Sequence, residues 1–356
     1  MRCLLKKSVG MKDSVLLIYT GGTIGMKMNP EIGSLSPFNF DQIIEEVPEL
    51  RKFNVKIDTM AFDPIIDSSN LQPEVWSKLA AVIKENYEKY DGFVVLHGTD
   101  TMAYSASALS FMTSNLTKPI IFTGSQLPIG ELRTDGKENL ISAIEIAVSK
   151  NDEGKSYVPE VCVYFQNQLF RGNRTTKYNA EHFRAFRSPN YPPLAEAGIN
   201  IHYNTPYILP TTGEDTRFDV QTEMSPDVVV VKIFPGISAR TFRAMLSIEG
   251  VKGIVLETYG SGNAPTDEWF VSAVKDAIAR GVIIVNVTQC SAGSVEMARY
   301  ETGVGLLEAG VVSGYDLTCE AAVTKLMYLI GQKLPIDEVK RQMNMSIRGE
   351  FLPKFH

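Results

Sequence analysis

The chain has 356 residues, 44% of them hydrophobic and 21% charged, with a formal net charge of −6 at pH 7. A chain of this size and composition buries its own core without staples, and an acidic balance with no basic stripe excludes nucleic acid as a natural partner. Four scattered cysteines (Cys3, Cys162, Cys290 and Cys319) without a C-x-x-C read as buried thiols, and four histidines lack metal-ligand spacing, so neither a disulfide framework nor a metal site is expected.

Residues 1–13 read as an N-terminal extension. They hold two lysines but lack the apolar stretch of a secretory signal, and Met11 is an alternative start. No apolar run approaches the ~20 residues of a membrane span. A cytoplasmic location is the expectation. The run Val15 to Tyr19 predicts a buried strand, followed at once by Thr20-Gly21-Gly22-Thr23-Ile24-Gly25. Paired glycines permit positive φ and close backbone approach, so Thr23 is displayed just past the strand's end. Residues 26–40, with Pro30, Gly33 and Pro37, lack a pattern and read as a mobile lid over Thr23. Asp67-Ser68-Ser69-Asn70 has two readings: a capping cluster for the helix opening at Pro73, or hydroxyls and free amides that hold a ligand carboxylate.

Residues 73–89 place Val75, Trp76, Leu79, Val82 and Ile83 on one helical face. The run Phe93 to Leu96 leads into His97-Gly98-Thr99-Asp100, a second strand end that carries a hydroxyl and a carboxylate. Residues 101–112 are apolar nearly all round and predict a deeply buried helix. The strand 119–123 leads into Gly124-Ser125-Gln126, a helix follows over 137–149, and the strand 161–165 precedes the basic stretch Arg171 to Lys177. Pro206, Pro210, Gly213 and Pro226 then mark a linker over 206–226. Beyond it, strands at 228–234, 253–258 and 282–287 and a helix at 267–280 repeat the rhythm. Their ends carry Tyr259-Gly260-Ser261-Gly262-Asn263 and Thr288-Gln289-Cys290.

Near-continuous apolar runs alternating with helices predict α/β architecture with parallel sheets buried on both faces. The reading is a larger flavodoxin- or Rossmann-like domain over 14–205, the linker 206–226, and a smaller α/β domain over 227–356. An open parallel sheet binds ligands beyond the carboxyl ends of its strands, so the threonines, Asp100 and Ser125 point to one cleft. A lone strand-end hydroxyl is usually a cap; several together indicate a site. Lys177 can accept a threonine proton where its surroundings favour the neutral amine. The glycine-rich turn lacks the spacing of a dinucleotide fingerprint or a P-loop, which disfavours a phosphate cradle.

With Thr20–Ile24 reading TGGTI and His97–Thr101 reading HGTDT, the chain resembles the L-asparaginase family of threonine amidohydrolases. The likeness extends through Gly124-Ser125-Gln126, Arg171–Lys177 and Gly260–Asn263, over residues 14–335, and it is similar to the cytoplasmic type I branch. The resemblance implies cofactor-free hydrolysis of L-asparagine to L-aspartate and ammonia by a homo-oligomer, a dimer or a dimer of dimers (a homotetramer). It implies Thr23 as nucleophile and Thr99, Asp100 and Lys177 as a second, triad-like group. Asp100 would also bind the substrate's α-ammonium. Ser68, with Asp67 and Ser69, would hold the α-carboxylate. Ser125 would line the pocket through its backbone, and Asn263 would reach a neighbouring subunit's site. Two positions depart from relatives. Residues 26–40 hold no tyrosine, where many members use one to activate the nucleophile. Glu257 stands near an arginine that some type I enzymes use for allosteric asparagine binding, although Thr176 and Cys290 remain. The competing expectations are a glutaminase-asparaginase, since one methylene discriminates by only ~1–3 kcal/mol, and a weakly active amino-acid-binding homologue. The related amidotransferase subunits carry an added N-terminal domain for which this chain has no room.

Overall fold

The near-continuous apolar runs form strands, and those at 15–19, 93–96, 119–123 and 161–165 are covered on both faces. The computed structural model describes residues 13–29, 34–37, 43–210 and 217–352, with the backbone alone at 27–29, 34–37 and 44. Five parallel strands, Ser14–Tyr19, Lys56–Ala61, Gly92–Leu96, Ile120–Thr123 and Val161–Phe165, lie in the spatial order second, first, third, fourth, fifth. This is the flavodoxin-like order, whose switch point lies between the first and third strands. Along Ser14–Tyr19, Leu16 and Ile18 face one core layer with Trp76, Phe93 and Leu109; Val15, Leu17 and Tyr19 face the other, with Ile121, Leu140 and Ile144. Fully burying such a side chain contributes about 1.5–3 kcal/mol, and burial on both faces explains why the runs do not alternate.

The helices Pro73–Asn86 and Met102–Met112 lie on one side and Gly136–Val148 on the other. Met102–Met112 is buried at every residue except Tyr104, as its all-round apolarity predicts. It is wedged between the larger sheet and the helix Cys319–Gly331 of the smaller unit, with Phe111 stacked on Tyr328. The smaller unit carries a four-stranded parallel sheet, Val228–Lys232, Gly253–Thr258, Ile283–Thr288 and Val312–Ser313, in chain order. The α/β expectation of a larger and a smaller parallel-sheet unit therefore holds.

The larger sheet continues past Val161–Phe165 with three antiparallel strands, Gln168–Arg171, Ala195–Ala197 and Ile201–Tyr203. They are three or four residues of mixed composition, too short to leave a sequence signal. The described parts of 206–226 touch both units: Asp219–Val220 pairs with Thr113–Ser114 and the Leu209 amide donates to Glu160 in the larger, while the Ser225 amide donates to the Met327 carbonyl in the smaller. Residues 211–216 lie outside the described residues, as do 1–12 of the N-terminal extension and 353–356. Of the lid expected at 26–40, Met26–Asn29 and Ser34–Pro37 pair as an antiparallel hairpin, while 30–33 and 38–40 lie outside the described residues.

Candidate active site

The switch point brings the two glycine-bearing turns together. Gly22 (φ 97°) follows the first strand in a left-handed conformation, and a Cβ there would lie 2.5 Å from the Cα of Gly98. Only paired glycines allow this approach. Thr23 and Thr99 are the residues that follow these two glycines, so the close approach carries both threonines to the same strand-end edge. A Cβ on Gly98 would in turn lie 2.7 Å from the Cβ of Ser68, which is buried against the same spot. The first turn is braced from below, where the Tyr19 hydroxyl donates to the Gly22 carbonyl (3.2 Å). Among the described residues, the Thr23 hydroxyl has no hydrogen-bond partner.

Lys177 arrives from the short strand Thr176–Lys177. Its Nζ donates to Thr99 Oγ1 (2.8 Å) and to Asp100 Oδ1 (2.7 Å). The lysine side chain is 16% exposed and the Asp100 side chain 64% exposed, so the carboxylate faces the open side of the cleft. Thr99 donates to Gln126 Oε1 (3.2 Å), while the Gln126 amide donates to the carbonyls of Ala180 and His182. Gln126 thus joins Thr99 to the 179–184 loop. It had been noted only as part of a strand-end motif, with no role.

Asp67 does not cap the helix Pro73–Asn86, whose first residues have no side-chain cap. It caps its own single turn, Ser68–Asn70, by accepting from the Ser69 amide (2.8 Å) and hydroxyl (2.7 Å). These two donors hold the Asp67 carboxyl below its ordinary range. Thr101 locks the turn by donating to the Ser68 carbonyl (2.8 Å). Ser125 is buried and gives its hydroxyl to the Leu127 carbonyl, which leaves its backbone for the cleft. Its Cβ and the side chain of Ile24 both pack on Gly136, so the Ser125 loop sits against the Thr23 turn.

Asn263 is not brought to this cluster within one chain. It pairs with the backbone of Tyr259 and accepts from Thr302 (3.0 Å) in the smaller unit. Beneath the cleft, buried His97 accepts a hydrogen bond at Nε2 from the Ser105 hydroxyl (2.8 Å), and Ser105 in turn accepts from Trp76 (2.9 Å). The other ring nitrogen, Nδ1, donates to the Gly98 carbonyl (2.7 Å). Burial pushes His97 down to about 4, which keeps it neutral and suits this chain of donors.

Beside Lys177, a cavity of about 500 Å³ opens between the two units and includes Thr176, Glu257, Cys290 and Glu320. Glu257 lies 3.5 Å from Lys232. Burial raises the Glu320 carboxyl although Thr176 donates to it (2.6 Å). Cys162 is a buried thiol, but Cys290 is exposed, because it sits in the loop after Ile283–Thr288 with its amide on Thr288 (3.0 Å). Among the described residues no cluster of three or more His, Cys, Asp or Glu could hold a metal, and no helix is long and apolar enough to cross a membrane.

Residues 14–209 match the family model described as "Asparaginase, N-terminal", and residues 227–343 match "Glutaminase/Asparaginase C-terminal domain". The protein of Escherichia coli strain K12 named L-asparaginase 1 is 44% identical over 344 residues, covering 96% of this chain and 99% of that protein. The human 60 kDa lysophospholipase is 41% identical over 373 residues, covering 98% of this chain and 63% of that protein. The crystal structure of L-asparaginase I from Vibrio cholerae O1 biovar eltor superposes with a TM-score of 0.86 at 43% identity, covering 96% of this chain and 99% of that one. With its two-threonine cleft and both domains matched, the chain belongs to the asparaginase family.

Proposed function

We propose that this chain hydrolyses L-asparagine to L-aspartate and ammonia. The observation that carries the reading is the pairing of Lys177 with Thr99 and Asp100, just past the point where Gly98 meets Gly22, the residue before Thr23. A zwitterionic amino acid needs an anion site and a cation site at fixed spacing. The Ser68 turn, with Asp67 and Ser69, supplies polar groups for the α-carboxylate, and the open Asp100 carboxylate suits the α-ammonium. That arrangement presents the side-chain amide to Thr23.

Thr23 is the nucleophile in this reading. Its Oγ forms a bond to the amide carbon, its proton is passed on, the carbon–nitrogen bond breaks and ammonia leaves. A water then releases aspartate. Threonine is a weak nucleophile unless a base takes its proton. Thr99 and Lys177, in direct contact, form a route for that proton or for one from water. Attack by Thr23 and attack by water activated at Thr99 both consume one water and need no cofactor. Amides of the glycine turn and of the Ser125 loop supply donors for the developing oxyanion. We assign the chain to a homo-oligomer, a dimer or a dimer of dimers, in which Asn263 completes a neighbour's cleft. Its place is the cytoplasm.

Ammonia release from L-asparagine and L-glutamine, measured for the wild type and Thr23→Ala, tests the reading. Asparagine turnover that is lost in Thr23→Ala supports it, and the glutamine ratio reads the specificity. A folded wild type without turnover would replace it with amino-acid binding alone.

A further inference from the structure

Lys177 hangs on a segment anchored from two sides. In the larger unit Arg171 ends the strand Gln168–Arg171 and pairs with buried Glu160 (2.6 Å), while side chains of residues 171–176 also reach the last described residues of the chain and the smaller unit. The Gly349 carbonyl accepts from two guanidinium groups, Arg171 Nη1 (3.1 Å) and Arg174 Nε (2.9 Å). The Arg348 carbonyl accepts from Asn173 (2.9 Å). Arg174 also pairs with Asp316 (2.8 Å), whose second oxygen takes the Leu352 amide (3.0 Å). Thr176 donates to Glu320 (2.6 Å) at the start of the helix Cys319–Gly331.

The C-terminal residues are themselves locked. Glu350 is fully buried, pairs with Lys325 (2.6 Å) of that same helix, and accepts from the amides of Ile347 (3.0 Å) and Arg348 (2.6 Å). An ion pair this buried is costly to desolvate, and breaking one partner away costs more than the pair contributes. It therefore holds one geometry. Gly349 has φ +70°, and a Cβ there would lie 2.5 Å from Arg171 Nη1. The strap accommodates only glycine at the point where both arginines meet it.

We propose that the C-terminal strap Ile347–Phe351 positions Lys177, setting the register of the segment Arg171–Lys177 against Thr99 and Asp100. The inference rests on the proposed role of Lys177. Its test therefore includes a readout that does not depend on asparagine turnover. In the full chain, Gly349→Ala drives the strap and the arginines apart. Lys177 then leaves its two partners and is acetylated by acetic anhydride several-fold faster, read residue by residue by mass spectrometry. The kcat for asparagine falls roughly tenfold or more while KM changes far less, since small misplacements of a catalytic group are costly.

Val274→Ala, in the core of the smaller unit and away from the strap, serves as a control with comparable loss of thermal stability. It leaves both the labelling and the kcat–KM split unchanged. If Gly349→Ala does not fold, Asn173→Ala, which removes the bond to the Arg348 carbonyl, is read in the same way. Wild-type labelling of Lys177 in the folded strap variant, or the same change in Val274→Ala, overturns the proposal. A wild type that labels as expected but turns over no asparagine overturns the proposed function instead.

Discussion

Gly22 and Gly98 lie backbone to backbone at the switch point of the larger sheet, and the two candidate catalytic threonines are the residues that follow them. The spacing between Thr23 and Thr99 is therefore set by the absence of two side chains. Gly98→Ala should force the Ser68 turn away, since its Cβ would lie 2.7 Å from that of Ser68. A shift of about 1 Å at reacting groups costs about a hundredfold in rate. We expect kcat/KM for asparagine to fall by that order, with a lowered melting temperature. Steady-state kinetics and thermal melts check this; unchanged activity would mean the close approach does not set the site.

Replacing Lys177 by methionine should act on chemistry rather than on the fold. Its partner Asp100 is 64% exposed, and pairs open to solvent contribute little to stability. Thr99 keeps Gln126 as an acceptor but loses its contact with the amine. The expected result is a fall in kcat of about 10²–10⁴ with an almost unchanged melting curve. Lys177→Arg should not rescue it, because a planar guanidinium cannot take up a threonine proton at neutral pH. Rescue by arginine would reduce Lys177 to a structural charge.

The apolar runs at 15–19, 93–96, 119–123 and 161–165 disclosed the parallel core, because strands buried on both faces leave a continuous signal. Helix Met102–Met112 was legible for the same reason. The antiparallel strands Gln168–Arg171, Ala195–Ala197 and Ile201–Tyr203 were not, since three or four residues paired through backbone bonds are too short to show a period. Within the site, Thr23, Thr99 and Asp100 were visible at glycine-marked strand ends. Gln126 and His97 stood in the same motifs without a visible role, because their work depends on partners 27 and 8 residues away, Thr99 and Ser105. Of the two readings of residues 67–70, the cap for Pro73–Asn86 fails because Asp67 caps Ser68–Asn70 instead, and caps for the two turns look alike in sequence.

Gln126 ties Thr99 to the 179–184 loop, which follows directly on Lys177. Gln126→Glu keeps an acceptor for Thr99 but loses both donors to the carbonyls of Ala180 and His182. Gln126→Ala loses all three bonds. If the loop tie is what matters, the two variants should be equally impaired, with KM for asparagine raised more than kcat is lowered. Glutamate retaining full activity while alanine does not would assign the effect to Thr99 alone. Steady-state kinetics on the pair separates the outcomes.

His97 makes stability depend on mildly acidic pH. Its ordinary value is 6.5, and burial depresses it to about 4 in the folded chain. Between those values the unfolded chain binds a proton that the folded chain refuses. The stability from neutral His97 is thus fully present above about pH 6.5 and is lost as pH falls towards 4, amounting to about 3 kcal/mol. The protonated ring would also have to donate at Nε2, where it now accepts, so the Ser105 proton would lose its acceptor in this buried site. Urea unfolding at several pH values should show this decline in the wild type. His97→Gln cannot titrate, so its curve should start lower at neutral pH and flatten between pH 6.5 and 4. Parallel curves for the two proteins would place the acid sensitivity in other groups.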